Sequence, residues 1–89
     1  MEQVLNYIDG ALRPAIGGGW LDGYEPATGQ VFEHISDSDA RDVDAAVLAA
    51  QRAMPAWIAL GREGRAKAME RVADLIERDM ELFSRAESR

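Results

Sequence analysis

The sequence has no cysteine. That excludes a disulfide framework, a cysteine zinc site, an iron–sulfur cluster and a cysteine nucleophile within this chain. A single histidine, His34, leaves no second imidazole for an H-x-x-x-H or H-E-x-x-H metal site, and a partly exposed strand histidine is the expectation there. Positive charge is scarce: 10 Lys and Arg stand against 16 Asp and Glu, a net charge of −6, and no basic patch of the kind that nucleic-acid binding requires is visible. No apolar run approaches the roughly 20 residues that span a bilayer. Met1-Glu2-Gln3 lacks the basic start and apolar stretch of a secretory signal. A soluble cytoplasmic protein with no nucleic acid and no membrane as partner is the expectation.

What is present is ordinary globular composition, 47% hydrophobic and 29% charged, in 89 residues, enough for one small domain. The chain divides near Ser36–Asp39. Before this point glycine and turn residues punctuate short apolar runs; after it alanine and charged residues dominate. Asn6-Tyr7-Ile8 and Ala11-Leu12-Arg13 flank Asp9-Gly10, the signal of a type I′ hairpin, and Pro14 ends the second strand. Trp20-Leu21 and Tyr24 suggest a further extended piece. Glu25-Pro26-Ala27-Thr28-Gly29 reads as a turn and Gln30–Ile35 as a strand.

Ser38 or Asp39 is expected to cap a first helix, with Asp42 and Asp44 favourably placed in its first turns. Val43, Ala46, Val47, Ala50 and Met54 form an apolar stripe, Pro55 is expected to stop the helix, and Trp57 to anchor it against the next. One second helix is expected from about Arg62 almost to Arg89, with Met69, Val72, Ala73, Ile76, Met80 and Phe83 as its stripe and Gly64 as a weak point costing about 1 kcal/mol. It reaches Arg89 with no glycine or proline stop, and both helices offer more apolar surface than so few strands can cover. Another chain, or more of this one, is the expected partner. The expected fold is α+β: short hairpin strands (1–37) followed by two amphipathic helices (38–89).

No segment carries a complete catalytic pattern. Gly17-Gly18-Gly19-Trp20-Leu21-Asp22 gives G-x-G-x-x-D without a following helix, so a plain loop is favoured over a phosphate cradle. Asp37-Ser38-Asp39-Ala40-Arg41-Asp42 superficially suggests a calcium loop, but Asp42 stands where glycine is needed and Leu48 where a bidentate glutamate is needed. The helical carboxylates interleave with basic residues and suit i,i+4 pairs: Glu63 with Lys67, Asp74 with Arg78, Glu81 with Arg85. The serines at 36, 38, 84 and 88 lack a G-x-S-x-G setting.

Taken in order, Tyr7-Ile8-Asp9-Gly10, Tyr24–Val31, Asp42–Ala50, Ala53-Met54-Pro55-Ala56-Trp57, Arg65 and Ala73–Glu77 resemble the N-terminus of the aldehyde dehydrogenase superfamily. Tyr24–Gly29 and Arg85-Ala86-Glu87-Ser88 look most like the semialdehyde dehydrogenases that act on 2-aminomuconate or 2-hydroxymuconate semialdehyde. The chain departs from the family at Glu25, where asparagine is common, and at Gly61, where serine or threonine often caps the second helix.

The resemblance implies that residues 1–89 are the N-terminal part of an α/β cofactor-binding domain, truncated at the C-terminus. The full enzyme would be an NAD- or NADP-dependent oxidoreductase and a homo-oligomer. A cysteine thiolate, a glutamate-activated water and an asparagine-containing oxyanion site would do its chemistry. None of those residues lies in this chain, so no catalytic, cofactor-binding or metal residue is assigned. The resemblance also implies a monovalent-cation site at the backbone carbonyls of Gly23 and Tyr24. The alternative is a stand-alone α+β module that binds a partner through its helical hairpin and has no activity.

Overall fold

A computed structural model of the chain describes residues 2–88. Five strands, β1 (Glu2–Val4), β2 (Asn6–Ile8), β3 (Ala11–Arg13), β4 (Trp20–Tyr24) and β5 (Val31–Ser36), precede three helices, α1 (Ala40–Ala59), α2 (Gly61–Arg78) and α3 (Met80–Ser88). The fold is α+β. No helix among the described residues is long and apolar enough to cross a membrane. The chain forms two compact units, one up to Arg52 and one from Ala53 onward; α1 begins in the first and ends in the second.

In the first unit, β2 and β3 pair antiparallel with Asn6 opposite Arg13, Tyr7 opposite Leu12 and Ile8 opposite Ala11. Asp9 and Gly10 have φ of 53° and 76°. Both central residues of a type I′ turn need positive φ, so the Asp-Gly expectation holds. The other sheet has the order β1-β5-β4. β4 runs antiparallel to β5, joined through a turn in which the Gly29 N–H donates to the Glu25 carbonyl at 2.7 Å and Gly29 takes φ 71°. β1 pairs parallel with β5 about thirty residues later, a strand that local patterning did not suggest. Ile8 and Ala15 are the buried apolar residues of this unit, with Ser36 and Asp42 as buried polar ones.

The covered side of α1 differs from the expected one. Asp42 is buried and Ala45 and Ala49 are half-buried, whereas Val43, Val47 and Met54 are about half exposed. Ala45 and Ala49 stand at i+3 and i+7 from Asp42 on the same side of the helix, and the bulkier stripe is the more exposed one.

The second unit corrects the helix boundaries. Pro55 does not stop α1, which continues through it to Ala59. Proline removes one N–H near the end of a 20-residue helix, and the last turn closes beyond it: the Leu60 N–H donates to the carbonyls of both Ala56 and Trp57 at 3.3 Å. Arg65 Nη1 also donates to the Ile58 carbonyl at 3.2 Å, satisfying a terminal acceptor. The chain turns instead at Gly61, whose φ of 72° is the left-handed value that leads out of a helix. Gly61 is thus not the N-cap of the next helix; Leu60 holds that position, with no side-chain cap. Gly64 has a purpose beyond weakening α2, since a Cβ there would lie 3.0 Å from Leu60 Cβ.

The expected single second helix is two. Asp79, at φ −105° and ψ 22°, separates α2 from α3. Hydrogen bonding nevertheless bridges the irregularity: the Asp79 N–H donates to the Leu75 carbonyl at 3.1 Å, and the Phe83 N–H donates to the Asp79 carbonyl at 3.0 Å. Helical register therefore carries across, and Met69, Val72, Ile76, Met80 and Phe83 stay on one stripe. All five are exposed, by 45–61%. Trp57, expected to anchor the helices, is 39% exposed.

Candidate functional site

The densest polar arrangement in the first unit lies where β5 passes into α1. Asp39 caps the helix: its Oδ1 accepts the Arg41 N–H at 2.9 Å. Asp42 reaches back, its Oδ2 accepting the Asp39 N–H at 3.0 Å, which is the return half of a capping box. Asp42 Oδ1 accepts the Ile16 N–H at 2.9 Å and fixes the Ala15–Gly19 loop to the helix. One buried carboxylate thus satisfies two backbone donors 23 residues apart in the chain. The same junction holds the N-terminal strands. Ser36 Oγ donates to the Val4 carbonyl at 2.8 Å, and Asn6 Nδ2 donates to Ser38 Oγ at 2.8 Å.

Arg41 turns back onto Asp39, with Nη2 at 2.8 Å from Oδ2 and Nε at 3.2 Å. Hydrogen bonds from the Arg41 side chain and N–H hold the Asp39 carboxyl below its ordinary value, and the same contact raises Arg41.

Beside this junction lies a depression of about 230 Å³ lined by Asn6, Tyr7, Ile8, Ser38, Asp42, Val43 and Ala46. It is mostly apolar, and the Asn6 amide, the Ser38 hydroxyl and the Asp42 carboxylate all have partners within the unit. Nothing here pairs a nucleophile with a base. The geometry holds backbone; it does not assemble chemistry.

The other sequence candidates sort accordingly. His34 is partly exposed in β5 opposite Asp22 of β4, with Nε2 at 3.4 Å from Asp22 Oδ1. Gly18, at φ 75°, donates its N–H to the Ala15 carbonyl at 2.9 Å, and Gly19 accepts the Asp37 N–H at 3.0 Å, so the glycine run is a turn fixed to the β5–α1 junction. The aspartates of the would-be calcium loop divide between capping and loop fastening. Gly23 is buried opposite Glu33, and the β4–β5 register shifts between Gly23 and Tyr24.

Of the three i,i+4 pairs expected on the helices, Glu81–Arg85 forms, at 2.6 Å. Arg78 turns from Asp74 to Asp79, with contacts of 2.9 and 3.2 Å, because the irregular backbone at 79 offers a nearer carboxylate. No Glu63–Lys67 bond is found among the described residues.

The double role of Asp42 and the Asn6–Ser38 and Ser36–Val4 bonds escaped sequence reasoning. The D-x-x-D spacing of a capping box was the one local signal available.

The profile described as the aldehyde dehydrogenase family matches residues 17–89. The chain belongs to that family. It is 37% identical over 84 residues to 2-aminomuconic semialdehyde dehydrogenase of Homo sapiens, covering 94% of this chain and 17% of that protein. It is 40% identical over 87 residues to acetaldehyde dehydrogenase 2 of Cupriavidus necator, covering 98% of this chain and 17% of that one. Among solved structures, PnpE in complex with nicotinamide adenine dinucleotide superposes with a TM-score of 0.91 at 42% identity, covering 99% of this chain and 18% of that one. The chain therefore spans about 17% of the length of the curated relatives it matches.

Proposed function

We propose that this chain is the N-terminal structural segment of an NAD(P)-dependent aldehyde dehydrogenase that oxidises an aldehyde, of the muconate-semialdehyde type, to its carboxylate. The observation that carries this is the superposition on PnpE across 99% of the chain. The polar junction gives the segment a structural role, and with no cysteine in the sequence the thiolate nucleophile must come from residues outside it. NAD or NADP is bound by those same outside residues. Residues 1–89 form the first part of the cofactor-binding domain, 1–37 supplying strands and 38–89 helices. The exposed stripes of Val43 and Val47, and of Met69, Ile76 and Phe83, are the surfaces on which the remainder of the polypeptide packs. The complete enzyme is cytoplasmic and a homo-oligomer.

A monovalent cation at the Gly23 and Tyr24 carbonyls fits the local chemistry. The register shift falls there, and the Glu33 side chain lies over Gly23, bringing negative charge to the strand. Bound, it would serve structure and not the reaction.

The test is NADH formation by the complete protein and by residues 1–89 alone, with 2-hydroxymuconate semialdehyde and acetaldehyde compared as substrates. Activity in the complete protein alone, higher with the semialdehyde, is expected. Oxidation by the 89-residue chain, or a natural gene product that ends at Arg89, overturns the proposal and favours a partner-binding module.

A further inference from the structure

The dipeptide Asp-Gly occurs twice in this chain, at Asp9–Gly10 and at Asp22–Gly23, and the fold treats the two differently. Asp9 and Gly10 form the exposed tip of the β2–β3 hairpin. Among the described residues no hydrogen bond or ion pair engages the Asp9 carboxylate or the Gly10 N–H, and a Cβ built at Gly10 meets nothing within 4 Å. Asp22 and Gly23 lie inside β4, opposite His34 and Glu33 of β5. Asp22 Oδ1 faces His34 Nε2 at 3.4 Å, and Gly23 is buried beneath the Glu33 side chain, whose Cγ is 2.5 Å from a Cβ built at that glycine.

We infer that Asp9–Gly10 is a site of spontaneous isoaspartate formation in the native protein, and that Asp22–Gly23 is protected from it by the sheet. The Gly10 nitrogen attacks Cγ of the protonated Asp9 carboxyl. A C–N bond forms, water leaves, and a five-membered succinimide results. Water then opens the ring at one carbonyl to restore Asp9 or at the other to leave an isoaspartyl linkage. Water lost in the first step is regained in the second, and no oxidant or cofactor takes part. Glycine suits the attack because it has no side chain to crowd the nitrogen. Ring closure requires the turn to relax from its left-handed geometry. A hairpin of two three-residue strands opens locally at low cost, whereas Asp22–Gly23 must first separate β4 from β5.

The product matters to the fold. An isoaspartyl residue adds a methylene to the main chain of a two-residue turn whose twist matches its strands. The pairing of Ile8 with Ala11 lies directly beside it, and Ile8 is one of the few buried apolar residues. The site is thus a point where ageing loosens the first unit.

The test ages the full chain at mildly acidic pH and physiological temperature, native and in denaturant. Isoaspartate at each site is read by fragmentation mass spectrometry and by methyl transfer from an S-adenosylmethionine-dependent isoaspartyl methyltransferase. In denaturant both sites should isomerise at similar rates. In the native protein Asp9 should exceed Asp22 by about tenfold or more, the factor that a modest difference in local opening free energy gives. The variants Asp9→Asn and Asp22→Asn give a second readout, since deamidation raises the intact mass: the first should gain mass rapidly and the second should not. Equal native rates, faster reaction at Asp22, or no reaction at Asp9 while the denatured chain reacts, overturns the inference.

Discussion

Residues up to Arg52 and residues from Ala53 onward are held by different means. In the first unit, side chains bond to backbone far away in sequence: Asp42 to Ile16 and Ser36 to Val4, with Asn6 reaching the Ser38 hydroxyl. In the second, among the described residues, the bonds are those of the helices themselves, of their caps, and of side chains no more than seven residues apart. Among the described residues the first unit buries Ile8, Ala15, Gly23, Ser36 and Asp42, and no residue of α2 or α3 is buried. Helices that cover no apolar face gain little beyond their own hydrogen bonds, and short helices are marginal in water on that basis alone. The first unit therefore carries part of its stability within itself, whereas the second leaves its apolar stripe exposed.

The sharpest way to break that contrast is to truncate the exposed stripe. Ile76→Ala should change the stability of the 89-residue chain hardly at all, because the side chain is 45% exposed there. In the complete enzyme, where the proposal has it covered, the same change should cost about 2–5 kcal/mol, as truncation of a buried isoleucine does. Denaturant unfolding of both proteins reads the difference. Equal small effects in the two would mean that the stripe is never covered.

Asp42→Ala addresses the first unit and should be the costliest single change there. It orphans the Ile16 and Asp39 N–H groups. Each of these part-buried donors left unpaired costs toward the lower end of about 1–3 kcal/mol, about 1–2 kcal/mol apiece, for a total of about 2–4 kcal/mol. Hydrogen exchange should accelerate at both amides together. Asp42→Asn keeps one acceptor oxygen and should lose roughly half as much. Acceleration at Asp39 alone would show that the loop does not depend on the carboxylate.

Gly23→Ala is the next step down. The added methyl must displace the Glu33 side chain, at a cost of about 1–3 kcal/mol for overpacking. Adding Glu33→Ala should restore most of the loss. Failure of that rescue would place the strain in the β4 backbone at the register shift instead.

The pattern of what the sequence disclosed follows from range. The β2–β3 hairpin was legible because Asp9 and Gly10 are the turn residues that positive φ demands, directly between the two strands. The Asp39 cap was legible for the same local reason. β1 was not, because Glu2–Val4 is three residues long and pairs with a strand about thirty residues away. Asp42 was placed in the first turn of the helix, but its partner Ile16 is 26 residues distant. At Pro55 the rule was local and still failed, because one lost donor near the end of a long helix is outweighed by the turns on either side. Asp79 interrupts the helix without glycine or proline, so composition gave no sign.

The smallest effect expected concerns charge at the α1 cap. Arg41 holds the Asp39 carboxyl below its ordinary value, so the folded chain binds that proton less readily than the unfolded chain. The sign follows directly. Its contribution is present above the unfolded carboxyl value and is lost as pH falls through the lower, folded one. Both groups are exposed, so salt should screen the pair and the loss on acidification should be slight. An NMR titration should show the Asp39 carboxyl rising toward the ordinary aspartate range in Arg41→Ala, with protection of the residue-41 amide against exchange, relative to its intrinsic rate, falling at low pH in both proteins, because the capping bond to that amide belongs to Asp39 itself. A carboxyl that stays low without Arg41 would transfer the effect to the backbone N–H groups at the helix terminus, and the cap would then owe nothing to the ion pair beside it.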